Sequence, residues 1–227
     1  MARGSSVDKW QDGALIWDLP TRVFHWLLVL LLAASWAFAE LGEMDYHMLC
    51  GLAILALLLF RLIWGFVGSS HSRFSNFVRG PGAVFRYAAT LPKRPGESHS
   101  GHNPLGGWFV LLMLLLLLFQ AVTGLFANDD IFTEGPLYVW VSKATSDRLT
   151  SLHKLNFDLI LGVVGLHVAA VLFYLIYKRE NLIRAMMSGR KPIARDQASN
   201  HIVPSAWAAL ILLLCSTVVY VLAEGMS

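Results

Sequence analysis

Four histidines lie within or at the ends of long apolar stretches, where an ionisable side chain is unusual. They are His25, His47, His153 and His167. Ionisable groups are costly in lipid, so they usually face the interior of a helical bundle and serve a functional site. A single imidazole can also form a simple hydrogen bond between helices. The interpretation therefore depends on how the four are spaced.

The spacing of these histidines predicts two levels in a bundle. His153 and His167 are 14 residues apart, so on one helix they share a face and lie about 21 Å apart along the axis. His47 opens the second apolar stretch, at the level of His153. Glu40 marks the end of the first helix that is nearest to His47. His25 lies 15 residues before Glu40, so it is about 22 Å from that end of the helix. The sequence therefore predicts that His47 pairs with His153. His25 then pairs with His167 at the second level.

Two facing imidazoles can bind a small metal ion or both axial positions of a haem iron. Small metal sites normally recruit further ligands such as cysteine or carboxylate, and none is expected at the level of His25 and His167. A haem with two histidine ligands needs no further protein ligand, only an apolar slot that is large enough to hold it. Gly51, Gly162 and Gly165 would let a flat macrocycle approach the backbone, or they are ordinary helix-packing glycines.

Arg61 lies 14 residues after His47, on the same helical face and at the level of the second pair. A buried arginine needs an anionic partner, and a haem propionate would supply one. Alternatively, Arg61 extends to the membrane surface. A third interpretation needs no haem, since intramembrane histidine and arginine also line ion paths in transporters.

Composition and hydropathy indicate the elements that must position these residues. Of the 227 residues 56% are hydrophobic and 15% charged, which excludes a disordered chain, a nucleic-acid-binding module and an ordinary soluble enzyme. The sequence lacks CxxCH and has two cysteines, which excludes covalent haem attachment and a disulfide framework. Five stretches approach the roughly 20 residues that span a bilayer: 23–39, 46–67, 108–127, 152–177 and 202–223. We expect an all-α integral membrane protein, with a four-helix transmembrane bundle and a fifth, C-terminal transmembrane helix.

The distribution of positive charge predicts the orientation. Most lysines and arginines fall in the N-terminal segment 1–22, in the second connection and in the basic connector 178–201. By the positive-inside rule these segments are cytoplasmic, so the C-terminus lies outside. We expect a bundle over 23–177 and a last helix with a short outer tail over 202–227. Cleavage after Ala37-Phe38-Ala39 is disfavoured, because the 22-residue leader contains acidic groups and four more spans follow.

The motifs around the histidines resemble those of the bacterial cytochrome b561 / nickel-iron hydrogenase b-type cytochrome family. The resemblance covers about residues 15–190. It rests on WDLPTRVFHW at 17–26, His47 with Gly51 and Phe60-Arg61, GHNPLGG at 101–107, and the pair His153 and His167.

The resemblance implies a four-helix bundle in the bacterial cytoplasmic (inner) membrane that encloses two non-covalent b haems. Their axial ligands would be His25, His47, His153 and His167. Electrons would pass between the quinone pool and a periplasmic redox partner, either a c-type cytochrome or a hydrogenase or dehydrogenase subunit. An alternative within the family is a stand-alone superoxide:quinone oxidoreductase. His71, His99 and His102 are candidates for a quinone site on the inner side.

The predicted outer face is acidic, which favours a partner with a basic surface over an anion such as superoxide. Acidic outer loops can also simply follow from the charge asymmetry of membrane proteins. The acidic residues are Glu40, Glu43, Asp45, Asp129, Asp130, Glu134, Asp147 and Glu224.

Overall fold

The computed structural model describes residues 10–93, 101–194 and 201–224. Within these residues, five helices are long and apolar enough to cross a membrane, as predicted. They are α1 (Leu19–Glu40), α2 (Met44–Val67), α5 (Pro104–Gly124), α6 (Lys143–Phe173), which continues as a π-helix over Tyr174–Lys178, and α8 (Ser205–Glu224). Short helices fill the connections: α3 (Phe74–Phe77), α4 (Pro81–Ala88) and α7 (Leu182–Ser188).

Polar caps explain where two of these helices begin. The Asp18 side chain accepts a hydrogen bond from Thr21 N, and Pro20 occupies the first turn, so α1 begins inside the segment expected to precede it. Ser142 caps α6 in the same way through Thr145 N. The fourth long helix therefore begins nine residues before the predicted residue 152, and its extra turns precede His153.

Helix α2 is the centre of the packing. It contacts α1, α5 and α8 closely, whereas the closest helical partner of α6 is α5. The fifth long helix therefore packs on α2 through buried Ala208, Cys215 and Val219. Helix α6 is the least buried of the five, and it approaches α1 and α2 through the rings of His153, Phe157 and His167.

A two-stranded antiparallel sheet departs from the all-α expectation. Strand β1 (Trp10–Leu15) pairs with β2 (Arg190–Ala194). The two strands pair because the segment before α1 and the segment after α7 meet at one end of the bundle. Gly189, at φ +77°, turns the chain here, and its carbonyl accepts from Ile16 N and Trp17 N. The end of the bundle that carries this sheet is called the inner end below, and the opposite end is the outer end.

Candidate haem-binding site

The inner histidine pair joins α1 to α6. The ring centroids of His25 and His167 lie 6.4 Å apart, with 54° between the ring planes. Phe109 of α5 stacks on His167 at 5.9 Å. Nδ1 of His25 is buried and has no hydrogen-bond partner among the described residues. The structure thus brings together the two residues that the spacing predicted to meet at this level.

The outer pair joins α2 to α6, and backbone carbonyl groups determine which ring nitrogen of each histidine carries the proton. The centroids of His47 and His153 lie 6.2 Å apart. Nδ1 of His47 is 2.9 Å from the carbonyl oxygen of Ser35, and Nδ1 of His153 is 3.0 Å from that of Gln120. A carbonyl oxygen can only accept, so each Nδ1 carries the proton. Each Nε2 then has its lone pair free for a metal.

The distance within each pair fits two imidazoles on opposite sides of one iron. With metal–nitrogen bonds of about 2.0 Å, two opposed imidazoles place their ring centroids about 6 Å apart. In the described part of the chain, no three His, Cys, Asp or Glu side chains come together as a metal site. A site with two protein ligands and no third fits a haem better than a small metal ion, because the haem macrocycle supplies the other four nitrogens.

The glycines near the histidines have two different environments. A Cβ placed on Gly51, Gly162 or Gly165 would meet no described atom within 4 Å, so these three are not at close helix contacts. A Cβ on Gly124 would lie 3.0 Å from Cε1 of His153. Gly124, which the sequence reasoning missed, therefore lets α5 approach the outer histidine. Its only signal in the sequence is its place at the end of the third stretch.

Asp18 is a second residue that the sequence reasoning missed. It is 1% exposed, and its carboxylate accepts from Thr21 N at 2.9 Å, Trp64 Nε1 at 3.0 Å and Ser72 Oγ at 3.2 Å. These bonds join the start of α1 to the end of α2 and to the turn beyond it. Because His25 lies two helical turns after Asp18, these hydrogen bonds also set the position of His25 along the bundle and the direction of its side chain. An aspartate directly before Leu19-Pro20 is a recognisable N-cap signal.

Arg61 is buried in the protein and does not extend to the surface. It is 3% exposed, its guanidinium lies 5.0 Å from the centre of the Phe74 ring, and Nη1 has no hydrogen-bond partner among the described residues. The residue is thus a buried cation at the inner end, which is where the sequence reasoning expected it.

Two of the three histidines predicted for the inner connection lie together beside Arg61. His102 is between the rings of Trp17 and Phe77, at 4.6 Å from each. A Cβ on Gly101 would lie 2.9 Å from Nδ1 of His71, so His71 touches the backbone next to His102. Burial, followed by the charges of the neighbouring Arg61, His71 and His167, lowers the pKa of His102 to about 3. His99 lies outside the described residues.

At the outer end, much of the acidic charge is already engaged. Asp129 Oδ1 accepts from the backbone N–H groups of Ile131, Phe132 and Thr133 at 2.8–2.9 Å, which lowers the pKa of Asp129. Lys143 pairs with Asp130 and Asp147. These contacts hold the loop in one shape with the Phe132 side chain 95% exposed. Asp129 is therefore a loop-stabilising residue, and its charge is only partly free to attract a partner.

The chain is similar to known membrane cytochromes. A sequence model of the prokaryotic cytochrome b561 family matches residues 16–189. The chain is 28% identical over 219 residues to a probable Ni/Fe-hydrogenase B-type cytochrome subunit of Rhizobium leguminosarum bv. viciae, covering 80% of this chain and 90% of that protein. It is 26% identical over 223 residues to a probable Ni/Fe-hydrogenase 1 B-type cytochrome subunit of Escherichia coli K12, with 82% and 93% covered.

A third relative has a different name. The chain is 26% identical over 182 residues to a probable superoxide oxidase CybB of Yersinia pestis, covering 73% of this chain and 93% of that protein. No solved structure matches. The family match extends over most of the chain and includes all four paired histidines. With five apolar helices, the chain is a multi-pass membrane protein that belongs to the prokaryotic cytochrome b561 family.

Proposed function

We propose that this protein is a di-haem b-type cytochrome that transfers electrons across the bacterial inner membrane, between the quinone pool and a redox partner at the outer face. The observation that carries the proposal is the pair of ring distances, 6.4 Å and 6.2 Å, at two levels of one bundle. One such pair has a simple structural explanation as a hydrogen-bonding contact. Two stacked pairs on a shared helix, each with the spacing of axial ligands, favour two haems.

His25 and His167 would hold the inner haem, and His47 and His153 the outer one. Haem b supplies a one-electron iron centre, and the protein supplies ligands, orientation and burial. The carbonyl groups of Ser35 and Gln120 would fix the outer imidazoles as neutral Nδ1–H tautomers. Arg61 would stabilise a propionate at the inner end, because a buried guanidinium needs an anion.

The relatives' names support a nickel-iron hydrogenase as the partner. The positive-inside pattern favours a cytoplasmic N-terminus and a periplasmic outer end. A hydrogenase subunit would then dock where Glu40, Glu43 and Asp45 leave acidic charge beside the outer pair. A c-type cytochrome with a basic face fits the same charge pattern.

The test is a reduced-minus-oxidised visible spectrum with haem quantitation on protein purified in detergent. We expect about two non-covalent b haems per chain, one for each pair of imidazole ligands. His167→Ala should lose one haem and His153→Ala the other. The haem lost from one variant should have a different midpoint potential from the haem lost from the other. His201→Ala, a change at an exposed histidine, should keep both. Well-expressed wild-type protein without haem would contradict the proposal and favour the transporter interpretation.

A second candidate activity is superoxide oxidation coupled to quinone reduction, which the name of the Yersinia pestis relative supports. The acidic outer end opposes it, since it repels an anionic substrate. Purified protein supplied with superoxide and a soluble quinone separates the two candidates. Rapid superoxide consumption without a partner protein would favour the oxidase.

A further inference from the structure

Among the described residues, the buried side-chain nitrogens that lack a hydrogen-bond partner all lie towards the inner end of the bundle. They are Arg22 Nε, His25 Nδ1, Trp26 Nε1, Arg61 Nη1, His71 Nε2 and His102 Nδ1. Buried polar groups are nearly always satisfied in folded proteins, because an unpaired one has lost its water without replacement. A concentration of such atoms at one place indicates a polar ligand that the described residues do not provide.

Three of these nitrogens belong to one group, which we call the inner polar cluster: Arg61, His71 and His102. They come from three segments, namely α2, the turn after α2 and the residues just before α5. The His71 ring touches the backbone beside His102, and His102 is fixed between two aromatic rings. The cluster is thus assembled by tertiary structure and held rigidly.

No described carboxylate forms an ion pair with Arg61. The ion pairs among the described residues involve Lys143 and Lys191. The charge of Asp18 acts on Arg61 from a distance, but the Asp18 carboxylate already accepts three hydrogen bonds from other residues. A buried cation without a paired anion is strongly destabilising, so the missing ligand carries negative charge. A quinone head group is neutral and would satisfy the donors without compensating the guanidinium.

The cluster also lies next to the inner histidine pair, since His167 is among the groups whose charge acts on His102. On the basis of the proposed di-haem function, we infer that Arg61, His71 and His102 together bind the propionate carboxylates of the haem held by His25 and His167. The two histidines are then cofactor-anchoring residues, and the quinone site lies elsewhere. The two carboxylates have four acceptor oxygens between them, enough to accept from all three donor side chains.

The experiment uses the full chain with His153→Ala, which keeps only the inner haem. In this background His71 and His102 are each changed to Phe, which keeps a ring but removes the N–H, and to Gln, which keeps a donor. His201→Phe is the matched control at an exposed histidine. Haem per chain and the midpoint potential of the inner haem are measured. The same changes in the otherwise unmodified chain report folding, through retention of the outer haem.

We expect the Phe variants to bind the inner haem about tenfold more weakly or worse, since each loses a hydrogen bond to a charged acceptor. Haem that remains should have a lower midpoint potential, because less compensated propionate charge stabilises the ferric state. The Gln variants should stay near the parent. Unchanged haem content and potential in both Phe variants would overturn the inference, whether or not quinone reduction slows. Absence of haem from the unmodified chain would instead refute the proposed function.

Discussion

Replacing Asp18 tests whether its buried carboxylate positions the inner site. The carboxylate accepts three hydrogen bonds, from Thr21 N, Trp64 Nε1 and Ser72 Oγ, and Trp64 is 0% exposed. In Asp18→Asn the amide has one oxygen and one NH₂ group. If the oxygen keeps the helix cap, the NH₂ group faces the Trp64 N–H, and two donors oppose each other.

The expected cost follows from which bond is lost. An unsatisfied Trp64 N–H costs about 1–3 kcal/mol, and a lost cap alone costs about 0.5–2 kcal/mol. Asp18→Asn must give up one of the two, so we expect it to lower the free energy of unfolding by about 0.5–3 kcal/mol. Asp18→Ala gives up both, so we expect a loss of about 1.5–5 kcal/mol.

The assay is unfolding in mixed detergent micelles, followed by helical circular dichroism and by the absorbance of each haem. The inner haem should be released before the outer one in both variants, because His25 lies on the helix that Asp18 anchors. Glu134→Gln, at an exposed acidic residue, is the control and should change stability by less than about 0.5 kcal/mol. A loss below about 1 kcal/mol in Asp18→Ala, with normal inner-haem retention, would refute the reasoning.

Two further predictions concern the outer end. Gly124→Ala places a Cβ 3.0 Å from Cε1 of His153, so the ring must shift. The spectrum and potential of the outer haem should change while the inner haem serves as an internal reference, and an unchanged outer haem would show that the contact relaxes freely. Asp129→Asn weakens acceptance from three backbone N–H groups, so amide hydrogen exchange at Ile131 and Phe132 should accelerate with both haem spectra unchanged. Since hydrogen bonding lowers the pKa of Asp129, the wild-type loop should keep its protection well into acid and lose it only as the carboxylate protonates. Equal exchange in the variant would contradict this role.

The sequence determined the features that depend on local periodicity and composition. Five apolar stretches of spanning length predicted five helices, because an isolated helix in lipid must satisfy its own backbone. The 14-residue interval between His153 and His167 placed them on one face, because helical geometry depends only on residue number. Together with the direction of each span and the positions of His25 and His47 along their own helices, those regularities predicted which histidines would face each other.

Tertiary structure decided the features that depend on contacts between distant segments. The sheet between β1 and β2 and the inner polar cluster join residues that are far apart in the chain, and no local pattern encodes their meeting. The same holds for Asp18, whose cap was visible in the sequence but whose bond to Trp64 required the ends of α1 and α2 to pack together. Helical periodicity fixes where a side chain points on its own helix. Packing alone fixes what it meets.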